Sequence, residues 1–255
     1  MAFNFEKIGE PIAKIIGGIK DKEKLFLAPP SEIKQVKNPI YELKLDKGAT
    51  FQPLPRKDVV EKVYVSAPSG SGKSYYSGQW IAEFKKMFRK QECYVFSPIP
   101  EDKSLDKNDI IRVDMDEHLL TNPITVEELE NSLAVFDDCE SIRDKKMLRY
   151  IEWLRDGLLE TGRHYNARMI WISHLISNYS STRRLLNEST SVTVFPRSGS
   201  GVFQIKKFLI NQCGLEKEEI KKFLNQESRW VTIYRTYPQF VISQTSCYFP
   251  KLTDD

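Results

Sequence analysis

The sequence holds only four cysteines among 255 residues, Cys93, Cys139, Cys213 and Cys247, and their scatter fits neither a metal site nor a disulfide framework. Such usage suits a reducing compartment, with the thiols serving as small packing groups. No apolar run approaches the roughly 18 residues of a membrane span, so a transmembrane helix is not expected. The N-terminus carries charge from Glu6 onward and lacks a signal-peptide core. Neither sign of charge dominates: 38 basic residues face 35 acidic ones, for a net charge of +3. Bulk charge therefore does not announce a nucleic-acid binder, and any grip on DNA must come from local patches or from repetition around an oligomer. Internal repeats and low-complexity tracts are lacking too. The length suffices for one large α/β domain with a well-buried core, or a domain plus a short extension.

Residues 1–57 differ from the rest in being rich in Lys and Pro, with Pro29-Pro30 inside and Pro53 and Pro55 at the exit. Ile12, Ile15, Ile16 and Ile19 have the spacing of an apolar helix face, weakened by Gly17 and Gly18. Tyr41, Leu43 and Leu45 alternate with charged residues and predict a half-exposed strand. This segment reads as an extension docked on the main domain, 58–255, or on a neighbouring subunit. From residue 59 onward strands and helices alternate. Strands are expected at 59–65, 92–96, 110–113, 133–136, 169–172 and 191–195. Helices are expected at 73–90 and 144–160, the latter with Leu148, Ile151, Leu154, Leu158 and Leu159 at helical spacing. Such alternation implies an α/β fold, a mostly parallel sheet flanked by helices on both faces. The stretch 202–255 reads as one or two helices followed by a hairpin, 230–237 and 240–248.

Between the first strand and the first long helix stands Ala67-Pro68-Ser69-Gly70-Ser71-Gly72-Lys73-Ser74. This is the phosphate-binding loop of a P-loop NTPase in the setting its mechanism needs. Glycines let the loop curl until its amides point inward, the helix N-terminus adds its dipole, Lys73 reaches the terminal phosphates of ATP, and Ser74 ligates Mg2+. Ala67 replaces the usual first glycine, a small cost if that position is extended.

Leu133-Ala134-Val135-Phe136 ends in Asp137-Asp138, and an apolar strand closing on an acid supplies the second half of such a site. Asp137 is the expected metal ligand. Asp138 either polarises the attacking water or caps the next segment, and Glu140 is the alternative base. Ser173-His174 closes a later strand, where residues face the ligand crevice of a parallel sheet. His174 is thus either a sensor of the γ-phosphate or an ordinary polar residue at a strand end. Asn178, Thr182, Arg183, Arg184, Asn187 and Glu188 form a polar run beyond it. Its arginines could pair with carboxylates, contact DNA phosphates or reach a neighbour's ATP site. No Arg-rich lid of a small-molecule kinase and no guanine-reading motif of a Ras-like switch is evident.

Taken in order, these residues resemble the FtsK–HerA group of RecA-like ATPases, and within it the genome-packaging ATPases of poxviruses, giant viruses and virophages. The carriers are the loop 68–74, Phe136-Asp137-Asp138, Gly162-Arg163-His164 and Ser173-His174. Thr182-Arg183, Leu186-Asn187-Glu188, Phe195-Pro196 and Ser228-Arg229-Trp230-Val231 add to them. The resemblance covers about 60–250. It implies an ATP-driven motor assembled as a homo-oligomeric ring, gripping double-stranded DNA and driving it into a viral capsid. It also implies a location in the host cytoplasm or viral factory, or on the virion. An arginine finger acting across subunits is implied as well, with Arg163 first, Arg183 next, and Arg197 or Arg229 behind them. The group often has Gln where this chain has His174 and Glu where it has Asp138. No nuclease domain is present. Lys85, Lys86, Arg89 and Lys90, or Lys206 and Lys207, are either DNA-phosphate contacts or solvated helix faces. A helicase or transfer pump of the same superfamily, and an ATP-dependent assembly switch, are the competing readings.

Overall fold

The computed structural model describes residues 1–176, 182–198 and 201–250; Asn178 lies outside them. In chain order the strands before the phosphate loop are β1 (Ala2–Asn4), β2 (Glu10–Ile16), β3 (Lys24–Ala28), β4 (Glu42–Lys44) and β5 (Thr50–Pro53). Then come β6 (Lys62–Ser66), α1 (Lys73–Met87), β7 (Cys93–Phe96), α2 (Lys103–Asp106), β8 (Ile111–Val113) and α3 (Glu117–Thr121). These are followed by β9 (Leu133–Asp137), α4 (Lys145–Thr161), β10 (Arg168–Ser173), α5 (Arg183–Glu188) and β11 (Ser191–Val194). The last elements are α6 (Val202–Asn211), α7 (Lys217–Leu224), β12 (Val231–Tyr234), β13 (Phe240–Ser243) and β14 (Ser246–Tyr248).

The chain divides into two compact units, Val60–Val192 and a second built from Met1–Val59 together with the residues from Thr193 onward. Contacts thus group 193–250 with the N-terminal segment, whereas the sequence pattern assigned that stretch to the ATPase part.

In the Val60–Val192 unit, strands β6, β10, β9, β7 and β8 are neighbours in that order, and every pair is parallel. All residues of β9 and β10 are buried, as expected of a sheet covered on both faces. Tyr64, Trp171, Phe136 and Phe96 stand in register across four strands. Ring centroids lie 5.3 Å apart for Phe136–Trp171 and 5.0 Å for Phe96–Phe136. The result is an aromatic shelf directly beneath the strand ends that carry Asp137 and Ser173. Helix α4 buries Met147, Ile151, Leu154, Leu158 and Leu159. Its N-cap Asp144 accepts from the amides of Lys146 and Met147, both at 2.8 Å. Helix α1 comes so close to α2 that a Cβ on Gly78 would lie 2.2 Å from the Ser104 carbonyl oxygen.

The other unit is antiparallel. One sheet has the order β1-β3-β2-β5, and β12, β13, β14 and β4 pair successively as a second ladder. The expected helix around Ile12–Ile19 is instead β2 followed by a turn, with Gly17 and Gly18 at φ +80° and +71°. β-branched residues favour the strand, and the glycines supply the left-handed corner. Leu43 lies in a short exposed strand, β4, in line with its alternating pattern. The expected C-terminal hairpin contains three strands, because the chain turns again between Ser243 and Ser246. Phe3 stacks on Phe249 with centroids 4.3 Å apart and meets Phe240 edge-on at 5.9 Å, so both ends of the chain share one core.

Candidate active site

Strand β6 ends at Ser66 and the loop 67–72 delivers the chain into α1. Gly70 and Gly72 take φ of +75° and +101°, values that a side chain would strain. Gly72 is the N-cap of α1 and gives it no side-chain acceptor, so the first amides of the helix remain open to an anionic ligand. Ala67 is absent from the positive-φ residues, and its amide donates to the Ser173 carbonyl at 3.1 Å. A backbone outside the left-handed region there explains why alanine serves in place of glycine.

Lys73 opens α1 and is buried. Its ammonium is 3.3 Å from His174 Nδ1 and 3.4 Å from the Pro68 carbonyl. Burial lowers its pKa, partly offset by the nearby carboxylates of Asp138, Asp137 and Glu140. The His174 ring turns its other nitrogen, Nε2, to Asp138 Oδ1 at 2.8 Å. With Nδ1 unprotonated the ring presents a lone pair to the Lys73 ammonium, while Nε2 meets the carboxylate at contact distance without hydrogen-bond alignment. One imidazole therefore bridges the phosphate loop and the acidic strand.

Asp137 closes β9 and is 3% exposed. Burial pushes its carboxyl up to about 7, reinforced by Asp138 and Asp102 and opposed by Lys73 and Arg112. A buried carboxylate crowded by other carboxylates is relieved by a divalent cation, and Ser74 stands beside Lys73 with a hydroxyl to share it. The donors thus fit Mg2+. Among the described residues no cluster of three or more His, Cys, Asp or Glu could hold a metal unaided, so the ion would depend on phosphate oxygens as well.

Asp138 adopts the left-handed conformation, φ +50°, tolerable for Asp because its short side chain bonds locally. Ser141 donates its amide to the Asp138 carbonyl at 3.0 Å and fixes the turn. Glu140, two residues on, accepts from the Ser173 hydroxyl and from the His174 amide, the latter at 3.4 Å. The two acids weighed as the general base are thus separated by geometry. Asp138 faces the His174 ring, and Glu140 holds the end of β10.

Among the described residues no hydrogen bond or ion pair ties the candidate finger arginines to Lys73, Asp137, Asp138 or His174. Arg163 is exposed in the turn between α4 and β10, at the opposite edge of the sheet from the loop. Strand β10 alone separates the two edges by about 16 Å. Its charge is felt instead by Lys62 at the start of β6. Arg183 is exposed at the start of α5, Arg197 is exposed in the turn Pro196–Ser198, and exposed Arg229 donates its amide to Gln244 Oε1 at 2.7 Å. Arg184 pairs with Asp156 and Glu160 of α4. Of the lysine clusters, Lys85 pairs with Glu92 and Asp109, and Lys86 with Glu83.

Two arginines that sequence reasoning passed over lie nearer the centre. Arg112 is bound to Asp106 and to the Ile99 carbonyl, and its charge lowers the Asp137 pKa. Arg155 is buried on α4, 5.0 Å from the Trp171 ring, and lines a 150 Å³ cavity with Glu140, Glu152 and Thr182. The signal for Arg155 was present: it falls four residues after Ile151 and four before Leu159, inside the apolar stripe.

A glycine loop between strand and helix, a buried lysine at the helix start and an acid on a parallel strand one removed in the same sheet define the unit as a P-loop NTPase. No protein-family profile matches the chain. It is 36% identical over 240 residues to "Uncharacterized protein V3" of Sputnik virophage, a match covering 93% of this chain and 94% of that one. The chain belongs to the family of this virophage protein. Among solved structures it resembles B204, the DNA-packaging ATPase of Sulfolobus turreted icosahedral virus, with a TM-score of 0.50 and 14% identity, over 73% of this chain and 98% of that one. It also resembles TcpA, the conjugation coupling protein of pCW3, with a TM-score of 0.47 and 12% identity, over 94% and 78%. At this identity the likeness to B204 shows a shared fold.

Proposed function

We propose that the chain is an ATP-hydrolysing motor that drives double-stranded DNA into a preformed viral capsid. The observation that carries the hydrolytic part is the continuous contact from Lys73 through His174 to Asp138. Lys73 is placed to draw charge from the terminal phosphate of ATP, exchanging His174 for a phosphate oxygen. Asp138 would take a proton from the attacking water, its Oδ1 lying 2.8 Å from His174 Nε2. Glu140 fixes the strand end from which His174 projects. Bound Mg2+ would be held by Ser74 and Asp137 and would neutralise charge on the phosphate oxygens. Packaging is supported by the motif order and by the likeness of fold to a viral DNA-packaging ATPase.

Because Arg163 lies a full strand length from the site of its own chain, an arginine finger at that position has to act on a neighbouring subunit. The motor is therefore read as a homo-oligomeric ring, with the virion or viral factory as its place of work. The steady-state ATPase rate with and without duplex DNA, across a salt series and against single strands, tests the reading. Stimulation by duplex that fades with salt is expected. Equal stimulation by single strands would shift the reading to a helicase or transfer pump. A rate that no DNA changes, with the capsid protein added, would leave an ATP-driven assembly switch.

A further inference from the structure

Helix α6 is apolar on two opposite sides. Ile205, Phe208 and Leu209 are buried, yet Phe203 and Ile210 are 64% and 52% exposed. Phe203, Lys207 and Ile210 are spaced i, i+4, i+7, so they form one stripe about 10 Å long. The Lys207 ammonium rests 4.6 Å from the Phe203 ring, and exposed Lys206 flanks the same stripe. An outward stripe of aromatic, aliphatic and cationic side chains is composed like a contact surface and unlike a solvated helix face.

The Val60–Val192 unit carries a matching depression. A 620 Å³ groove runs between the residues after β7, the segment from β8 into α3, and the turn after β9. Its apolar lining is Ile99, Met115, Leu120, Ile142 and Met147, and its charged lining sets Asp114, Asp116, Glu117 and Asp144 against Arg112 and exposed Arg143. Arg112 is already engaged by Asp106, and Arg143 leaves the four carboxylates in excess, so the rim stays acidic. The wall formed by Ser141–Asp144 continues the turn that carries Asp138 and Glu140. Whatever fills the groove therefore bears on the catalytic acids.

We propose that this groove receives α6 of a second copy of the chain, Phe203 and Ile210 entering the floor and Lys206 and Lys207 meeting the acidic rim. Surfaces that differ on one molecule and complement each other make a heterologous contact, the kind that closes rings. The inference rests on the ring-motor reading and deepens it by naming how one copy meets the next. The groove is the receiving side, and occupancy by a neighbour sets the turn holding Asp138.

Sedimentation velocity of the full chain with an ATP analogue tests this. The wild type self-associates. Lys206→Glu with Lys207→Glu, and separately Asp114→Lys with Glu117→Lys, weaken association by roughly tenfold or more. The chain bearing all four reversals regains it, an outcome that a misfolded variant cannot give. A monomeric wild type, an unaffected α6 variant, or a fourfold variant no better than either pair would overturn the proposal. So would loss of duplex DNA binding with association intact, which would assign the stripe to DNA. ATP turnover is followed in parallel. Association without turnover would end the motor reading and leave the interface; turnover without association would end the interface alone.

Discussion

His174 Nε2 lies 2.8 Å from Asp138 Oδ1, while Nδ1 of the same ring faces Lys73 at 3.3 Å. The histidine therefore touches a carboxylate and marks the place of a phosphate oxygen. Replacing His174 by Ala should lower kcat about 10- to 100-fold with little change in the KM for ATP. Gln keeps an N–H for Asp138 and should recover part of the loss. Steady-state kinetics on both variants decide it; an unchanged kcat in His174→Ala would remove the ring from the mechanism.

The separation of Asp138 from Glu140 predicts unequal roles. Asp138→Asn should bind a fluorescent ATP analogue normally yet lose roughly 10²- to 10⁴-fold in kcat, the loss of a general base. Glu140→Gln still accepts from the Ser173 hydroxyl and should lose less than about tenfold. If the larger loss falls on Glu140, the assignment is reversed.

Arg163 stands at the far edge of the sheet from its own phosphate loop. Arg163→Ala should bind ATP, hydrolyse it poorly, and regain turnover when mixed with Asp138→Asn subunits, since a mixed pair contains one intact site. Mixing without recovery argues against action across subunits.

A methyl group on Gly78 has nowhere to go, because its Cβ would lie 2.2 Å from the Ser104 carbonyl oxygen. Alanine gains about 1 kcal/mol in helix propensity, but overpacking costs about 1–3 kcal/mol. Gly78→Ala should therefore come out neutral to about 2 kcal/mol less stable in urea denaturation. A clear gain in stability would show that α2 yields without cost.

Features legible in the sequence were those set by local physics. The loop 67–74 announced itself because only glycines suit its backbone, and β9 because an apolar run ended in acids. The segment around Ile12 was misread for a definite reason. A β-bulge between Pro11 and Ala13 brings Ile12 and Ala13 both into the core, breaking the alternation by which a strand is recognised. Ile16 and Ile19 then lie exposed, although a helix face would have buried them. The allegiance of 193–250 to the N-terminal unit was not legible, since it depends on contacts such as Phe3 with Phe249 that leave no mark on nearby residues.

That same pairing orders events at the ribosome. Phe3 is made 246 positions before its stacking partner Phe249. The nucleotide-binding unit, Val60–Val192, is continuous and complete long before Phe249 appears. It is free to fold while β4 still waits for β14 and Phe3 for Phe249. A nascent chain stalled near residue 230, with Val192 clear of the exit tunnel, should already bind ATP before Phe249 is made.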